Sequence, residues 1–524
     1  MQRVARIGLT TIEIAILSAL ILVTRCANYQ DVFVAGNAYF TDADCYSRMT
    51  RVRMCAEKPG LIVRHHVFEN FPQGTTPHTT APLDYLILGL SILLKPFTTH
   101  AIDLGGTLVS PLFALLGGWF LWWWSLRMKF RYHWVMLILY SISPILVHGT
   151  ELGRPDHQSL SMLLVTIAIC AEWNLQSCPT PKWGALSGAA WALAIWVSAY
   201  EPLVLLLIVM ATIFLGNRQG LSVKSRRTKW ILFALVIVIA LAVERRIPSL
   251  TIFESNSVFK NWARTVGELA HVPPANPIWL RWGGYLILVA PFLIWMSMSR
   301  RKSMSEQTTP WFVLVLLVAT YGLTIWQSRW GYFFVLIFAL ALPALLEPIK
   351  LRAAVWIAFV LSIFPILRDW DERLWPSEAE IARQAERRSE SAQLHDLALN
   401  LQSSETRPFL APWWLSPSIA YWSGQPGIAG SSHESLNGIA ESARFFLFED
   451  WQKARQILDN HQAAWVFAYD FERVAQNSAV VLGVRLPARP ICQVLDRTPA
   501  QVQRFLVFSA QNQVCKLYRI AVEQ

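Results

Sequence analysis

Residues 133–173 read HWVMLILYSISPILVHGTELGRPDHQSLSMLLVTIAICAEW. Two strongly apolar stretches flank the polar run Glu151-Leu-Gly-Arg154-Pro-Asp156-His157-Gln158. A spanning helix takes about 20 mostly apolar residues, and a carboxylate this close to hydrocarbon is costly unless it is paired or used. The run therefore reads as the turn between two membrane spans, with Asp156 at a membrane edge.

Similar apolar stretches recur from residue 7 to residue 368. Only 15% of the chain is charged, against roughly 25% in an ordinary soluble domain, so the class is a polytopic α-helical membrane protein. The net charge of +11 does not call for nucleic acid, because much of it lies in short clusters between apolar runs. These are Arg127, Lys129 and Arg131; Arg218, Lys224, Arg226, Arg227 and Lys229; Arg300, Arg301 and Lys302; and Lys350 with Arg352. They read as orientation signals that stay inside the cell.

With those clusters inside, crossings are expected near 7–26, 103–125, 133–149, 159–173, 184–199, 202–215, 229–243, 284–298, 310–326, 330–346 and 352–368. That makes about 11 helices, or up to about 13 if short ones are added. The first is retained, since no run of small residues marks a cleavage site after it. Residues 83–96, short and closed by Lys95-Pro96, read as an interfacial or re-entrant piece. The expected organisation is a transmembrane domain over 1–369 with outer loops 27–81 and 244–283, a connector over 370–408, and a mixed α/β domain over 409–524. Asp44, Asp156, Glu254, Arg329 and the C-terminal domain all fall on the extracytoplasmic face of the cell inner membrane.

Carboxylates gathered from separate loops can hold a hard divalent cation, which takes oxygen ligands. Asp44, in Asp42-Ala-Asp44-Cys-Tyr46, and Asp156 are candidates; capping of helices or pairing with nearby arginines is the other reading of both. Gln158 offers a carbonyl oxygen. The histidines, His157 and the pair His65-His66 among them, lack the spacing of a zinc site and read as interfacial polar residues. Arg329, in Gln327-Ser-Arg329-Trp-Gly-Tyr332, either anchors the membrane edge with Trp330 and Tyr332 or pairs with a lipid-linked phosphate, which its planar fork matches.

Taken in order, Asp44-Cys-Tyr46, Arg154-Pro-Asp156-His157-Gln158, Thr251-Ile-Phe-Glu254 and Arg329-Trp-Gly-Tyr332 resemble the membrane-embedded catalytic subunit of oligosaccharyltransferase in its single-subunit bacterial and archaeal forms, of the GT-C glycosyltransferase class. Glu69-Asn-Phe-Pro72-Gln-Gly74 and Ala81-Pro82-Leu83-Asp84 are similar to the same region of that family. The resemblance implies a GT-C fold and a divalent metal, Mn or Mg, held by Asp44, Asp156 and Gln158. Archaeal members carry Asp-His-His where this chain has Asp156-His157-Gln158, so an amide stands at the second ligand position. By the same resemblance Asp44, Asp156 and Glu254 are catalytic and Arg329 holds the donor phosphate. The implied reaction moves a sugar or oligosaccharide, with inversion, from a polyprenyl phosphate or diphosphate to an acceptor, asparagine in protein first. A lipid or glycan acceptor is an alternative, as is a transporter or ligase of polyprenyl-linked glycans.

The family's Trp-Trp-Asp-Tyr-Gly motif, which reads the acceptor hydroxyl, is matched here by Trp413-Trp414-Leu415-Ser416-Pro417. Trp413 and Trp414 become acceptor-site candidates, without the carboxylate; packing the domain against the membrane surface is the other reading. Beyond them, helix-like stretches are expected near 438–460 and strands at 464–469, 478–484 and 514–522. Either Cys45 with Cys55 or Cys492 with Cys515 is a disulfide candidate in an oxidising compartment.

Overall fold

The computed structural model describes residues 2–215, 223–247, 256–299 and 309–521. It forms two compact units, one of Met1–Tyr29, Leu108–Ile247 and Glu268–Ser377, the other of Gln30–Thr107, Pro248–Gly267 and Glu378–Gln524. These units interleave segments that the sequence organisation kept in chain order.

The first unit is helical. By length and apolar composition, four helices among the described residues suffice to cross a membrane: Gly8–Arg25, Ala101–Arg127, His157–Ser177 and Ser328–Leu346. A fifth span is available if Arg352–Ser362 and Phe364–Leu374, bent by 44°, act together. Shorter apolar helices, His133–Ile142, Tyr200–Leu215, Leu286–Ser299 and Trp311–Trp326, occupy further stretches expected to cross. The 328–346 window is 94% buried against 22% for 8–25. A helix apolar on all sides and buried on all sides is a central one, whereas the 8–25 helix turns most of its surface outward.

Ser143-Pro144 ends the 133–142 helix and starts the short helix Pro144–His148. Proline has no N–H to give, and the first residues of a new helix make no bonds back. The carbonyls of Tyr140, Ser141 and Ile142 are thereby cut from their usual partners. Arg25, fully buried, supplies the missing donors: its Nη2 donates to the Tyr140 carbonyl at 2.8 Å, its Nη1 to that of Ser141, and its Nε to Thr150 Oγ1 at 3.2 Å. Thr24 Oγ1 also donates to Ser141 O at 2.9 Å, and the Trp370 indole to Ile142 O at 2.7 Å. The Arg25 carbonyl in turn accepts from Leu152 N at 2.8 Å, so the turn leading to Asp156 is fastened to the end of the first helix.

The helices Pro181–Val197 and Val223–Glu244 pack closely. Gly184 and Gly188 make this close approach feasible, because a side chain at either would press into the main chain of Ser225 or Lys229. Between these helices and the 157–177 helix, buried Glu172 accepts from Ser187 Oγ at 2.6 Å and pairs with Lys229. A charge in such a place is tolerated because it is both paired and hydrogen-bonded.

The second unit holds a four-stranded sheet in the order Phe409–Leu410, Trp465–Ala468, Lys516–Ile520, Leu506–Gln511. The first pair is parallel and the others antiparallel, with a bulge between Phe508 and Ala510. Helices Glu378–Leu399, Ser416–Ser423, Leu436–Leu447, Trp451–Asn460, Phe471–Leu482 and Ile491–Arg497 complete its C-terminal part. The expected strands near 464–469 and 514–522 are present, but 478–484 is the end of a helix. Asp470 caps that helix by accepting from Glu472 N and Arg473 N, and Gly483 closes it in the left-handed conformation. Of the valines in that run only Val481 is buried, on the same helical face as Val474 seven residues earlier, while Val480 and Val484 are exposed.

In the same unit, Asp42 caps the helix Ala43–Glu57, accepting from Cys45 N at 2.9 Å. Its arginines fasten it: Arg48 and Arg51 meet Asp84 at 2.7 and 3.4 Å, and Arg53 meets Asp103 at 3.4 Å. Asp84 lies on helix Ala81–Leu94, the apolar piece of 14 residues read as not crossing. All seven cysteines are free thiols. Cys45 and Cys55 lie on one helix, about 15 Å apart along its axis at 1.5 Å per residue, beyond the reach of a disulfide.

Replacing Arg25 with methionine removes donors that a dry helix break needs. The expected loss is about 2–4 kcal/mol of stability, with Arg25→Lys intermediate, read as a fall in the thermal midpoint of protein purified in detergent.

Candidate functional site

In the first unit, a ring of polar groups closes around the start of the 157–177 helix. Asp156 is its N-cap, accepting from His157 N at 2.6 Å, and its Oδ1 lies 2.7 Å from His157 Nδ1. Helix capping, one of the two readings of this residue, is therefore present. Gln158 Nε2 donates to Glu268 Oε2 at 2.8 Å, and Arg154 Nη2 donates to Glu268 Oε1 at 3.1 Å. Arg154 Nη1 lies 3.3 Å from His148 Nε2, and His148 Nδ1 lies 2.7 Å from Tyr332 Oη, which reaches Glu268 Oε1 at 3.2 Å. Because arginine only donates, His148 Nε2 must accept and the proton sits on Nδ1. The circuit Arg154, His148, Tyr332, Glu268 is then consistent at every step.

Arg329 joins this group from the other end. It pairs with Glu201 at 2.5 Å and lies over the Tyr200 ring at 5.7 Å, and the other carboxylates acting on it are those of Glu268 and Asp156. Its Nε is buried and has no hydrogen-bond partner among the described residues. The same holds for Gln158 Oε1. An unused N–H beside a charge pair suits an anionic oxygen, and an unused carbonyl oxygen suits a hard cation. The Gln158 amide is thus compatible with the Mn or Mg ion expected from the sequence, while its Nε2 serves Glu268. Glu254 lies outside the described residues. Glu268 was missed from sequence: it shares the loop 244–283 with Glu254 and belongs to no motif.

Asp44 belongs to the second unit, where it takes a hydrogen bond from Ser431 Oγ. The segment after Ser431 carries a second group that local spacing did not reveal. His78, His433 and Glu434 bring three ligand atoms within 4.8 Å of one another, a cluster able to coordinate a metal ion. His78 and His433 are separated by hundreds of residues and went unnoticed for that reason. Burial would raise the Glu434 carboxyl, but His78, through charge and hydrogen bond, together with His433 and Ser432, outweighs it and holds the group below the usual carboxylate range.

The loop carrying His78 is locked to the segment carrying His433. Asn70, at φ +55°, accepts from Gly438 N at 2.9 Å through Oδ1 and donates to Gly74 O at 3.1 Å through Nδ2. Gly427 N donates to Phe68 O at 3.0 Å, and Phe71 N to Gly427 O at 3.2 Å. The Glu69–Gly74 phrase singled out in the sequence is therefore a joint. Trp413 is half-buried, its indole donating to Asn477 Oδ1 at 2.7 Å, and its ring stands edge-on to Trp414 and Trp262 at 5.9 and 6.3 Å.

No protein-family model matches the sequence, and no curated protein matches it. Solved structures do match in fold. The oligosaccharyltransferase AglB from Archaeoglobus fulgidus, in complex with an inhibitory peptide and a dolichol-phosphate, is similar over 97% of this chain and 74% of its own, with TM-score 0.67 and 14% identity. At this identity the likeness is one of fold. ArnT from Cupriavidus metallidurans, bound to undecaprenyl phosphate, is similar over 98% of both chains with TM-score 0.54 and 12% identity. The arabinofuranosyltransferase AftD from Mycobacteria is similar over 97% of this chain and 40% of its own, with TM-score 0.55 and 14% identity.

His66 gives a pH test of the second unit. Burial first, then Arg51, pushes its imidazole down to about 3, whereas an unfolded histidine titrates near about 6.5. Between these values the unfolded chain binds a proton that the folded chain refuses, so stability falls as pH drops below about 6.5, by up to about 1.4 kcal/mol per pH unit. His66→Gln should flatten this slope, and the gap in thermal midpoint between wild type and variant should narrow from pH 7.5 to pH 5.

Proposed function

We propose that the chain is a metal-dependent inverting glycosyltransferase that moves a sugar or oligosaccharide from a polyprenyl phosphate or diphosphate to an acceptor, asparagine in protein being favoured. The observation that carries this reading is Arg329. It is a guanidinium at the end of a buried apolar helix, with an Nε–H unused, in a fold shared with proteins captured with dolichol-phosphate and undecaprenyl phosphate. A phosphate head group would complete its bonding while the lipid chain stays in hydrocarbon.

Arg329 binds the donor phosphate and stabilises the charge that develops as it leaves. Glu201 and Tyr200 fix the guanidinium, so little reorganisation accompanies the step. Asp156 and the unpartnered carbonyl oxygen of Gln158 would hold a divalent cation, Mn or Mg, which when bound would supply positive charge to offset that of the leaving phosphate. Asp44 orients and polarises the attacking group, and Glu254 is assigned the same task. No covalent enzyme intermediate is required. Trp413 and Trp414 contact the acceptor. The site and the C-terminal domain face outward from the inner membrane.

Leu415 favours a second reading for the acceptor. Where a carboxylate would take a charged hydrogen bond from a hydroxyl, this chain has an alkyl group. A lipid or glycan acceptor is compatible with that alkyl group, as is the alternative of a transporter or ligase of polyprenyl-linked glycans.

Mass spectrometry of membranes with and without the protein, following glycopeptides and lipid-linked sugars together, tests both readings. Asp44→Asn, Asp156→Asn and Arg329→Gln should each lower transfer at least about 100-fold; the thermal midpoint should change little in the two Asp variants and fall in Arg329→Gln, which leaves buried Glu201 without its charge partner. Full activity in the Arg329 variant would remove the donor assignment. If protein is the acceptor, replacing the Ser or Thr of an Asn-X-Ser/Thr acceptor should reduce transfer less than about 10-fold; strict dependence on that hydroxyl would show that another group reads it.

A further inference from the structure

His78 lies in the loop just before the 81–94 helix, and His433 and Glu434 open the turn before the 436–447 helix. Glu434 is held by both oxygens. Oε1 accepts from the His78 backbone N at 2.6 Å and Oε2 from Ser432 Oγ. A carboxylate oxygen has more than one lone pair, and the remaining capacity of Oε1 faces two imidazoles. His78 Nδ1 is 2.6 Å away and His433 Nε2 3.7 Å away. The imidazole rings are 5.0 Å apart and tilted by 40°.

A simple ion pair needs one histidine. Two imidazolium rings so close would repel one another, and a single carboxylate does not offset both charges. A divalent ion removes the conflict, since neutral imidazoles are its ligands and the carboxylate neutralises part of its charge. The donor set of two nitrogens and one oxygen selects a transition metal over magnesium, whose preference is for oxygen alone. Side-chain exposures of 34% for His78 and 24% for His433 leave an approach for the ion. The hydrogen bonds from Ser432 and the His78 main chain orient Glu434 in the manner of supporting contacts around a metal ligand.

We propose that His78, His433 and Glu434 bind one divalent transition-metal ion of the zinc class, with a coordination position left for an external ligand. Its ligands are other residues than Asp44, Asp156 and Gln158, which the family resemblance names for a Mn or Mg ion, and it does not rest on glycosyl transfer. Through it the loop that precedes residue 81 is tied a second time to the segment that follows Ser431, the partner of Asp44.

The test uses full-length protein in detergent, stripped with a chelator and titrated with Co(II). The expected result is a saturable visible absorption band at one equivalent, displaced by equimolar Zn(II) but not by a thousandfold excess of Mg(II), and a zinc-dependent rise in thermal midpoint. His78→Ala and His433→Ala should abolish the band, and Asp156→Asn should keep it. Glu434→Gln keeps the side chain's size and one acceptor oxygen, so it guards against loss by misfolding; it should unfold cooperatively and bind Co(II) at least tenfold more weakly. A folded wild type with no saturable band, or a band that survives in both histidine variants, overturns the proposal. Because transfer is not the readout, failure of the glycosyltransferase reading would leave this result intact.

Discussion

Arg25 is the constraint on which the first unit turns. A helix broken inside hydrocarbon leaves carbonyls that nothing nearby can serve, since lipid offers no donors. The break at Ser143-Pro144 orphans three, and Arg25, Thr24 and Trp370 serve them. The break is useful because it redirects the chain into the 149–156 turn, where Gly153 adopts φ +74° and Asp156 opens the next helix. Arg25 thus stabilises the bend that delivers the polar group to the end of the bundle. Its own charge is tolerated there because its donors are committed.

That group has the economy of a low-dielectric site. Arg154 and Arg329 face Glu201 and Glu268, and His148 and Tyr332 pass hydrogen bonds between them. Each member holds the next, so Arg329 Nε and Gln158 Oε1, which have no hydrogen-bond partner among the described residues, are fixed in direction. Fixed donors and acceptors of this kind act on a ligand without first having to reorient.

Much of the architecture was legible because hydrocarbon imposes long, plain signals. The apolar stretches fall on helices, and Asp156 announced itself as an acid among them. Gln158 was legible only as an oddity. Glu268 was not, because a lone acid in a polar loop looks the same whether solvated or gripped by Arg154 and Gln158. The His78, His433 and Glu434 cluster was hidden by sequence distance, since metal-site spacing rules describe ligands on neighbouring turns. Residues 478–484 were misread because adjacent valines favour a strand, while the deciding signals, the Asp470 cap and Gly483, lie at the far ends of the helix. Asp42, two residues before Asp44, turned out to be the cap of its helix.

The joint between residues 68–74 and 427–438 has a consequence for how the protein is made. Asn70 and Gly438 are 368 residues apart, an interval that takes on the order of 20–70 s to synthesise. Throughout that time Asn70 Oδ1, the Phe68 carbonyl and the Phe71 amide lack their final partners and have only water, or a helper protein, to bond with. The loop that presents His78 is therefore among the earlier segments to emerge and among the last to acquire its final shape, which makes the newborn chain vulnerable at a place where the finished one is firmly tied.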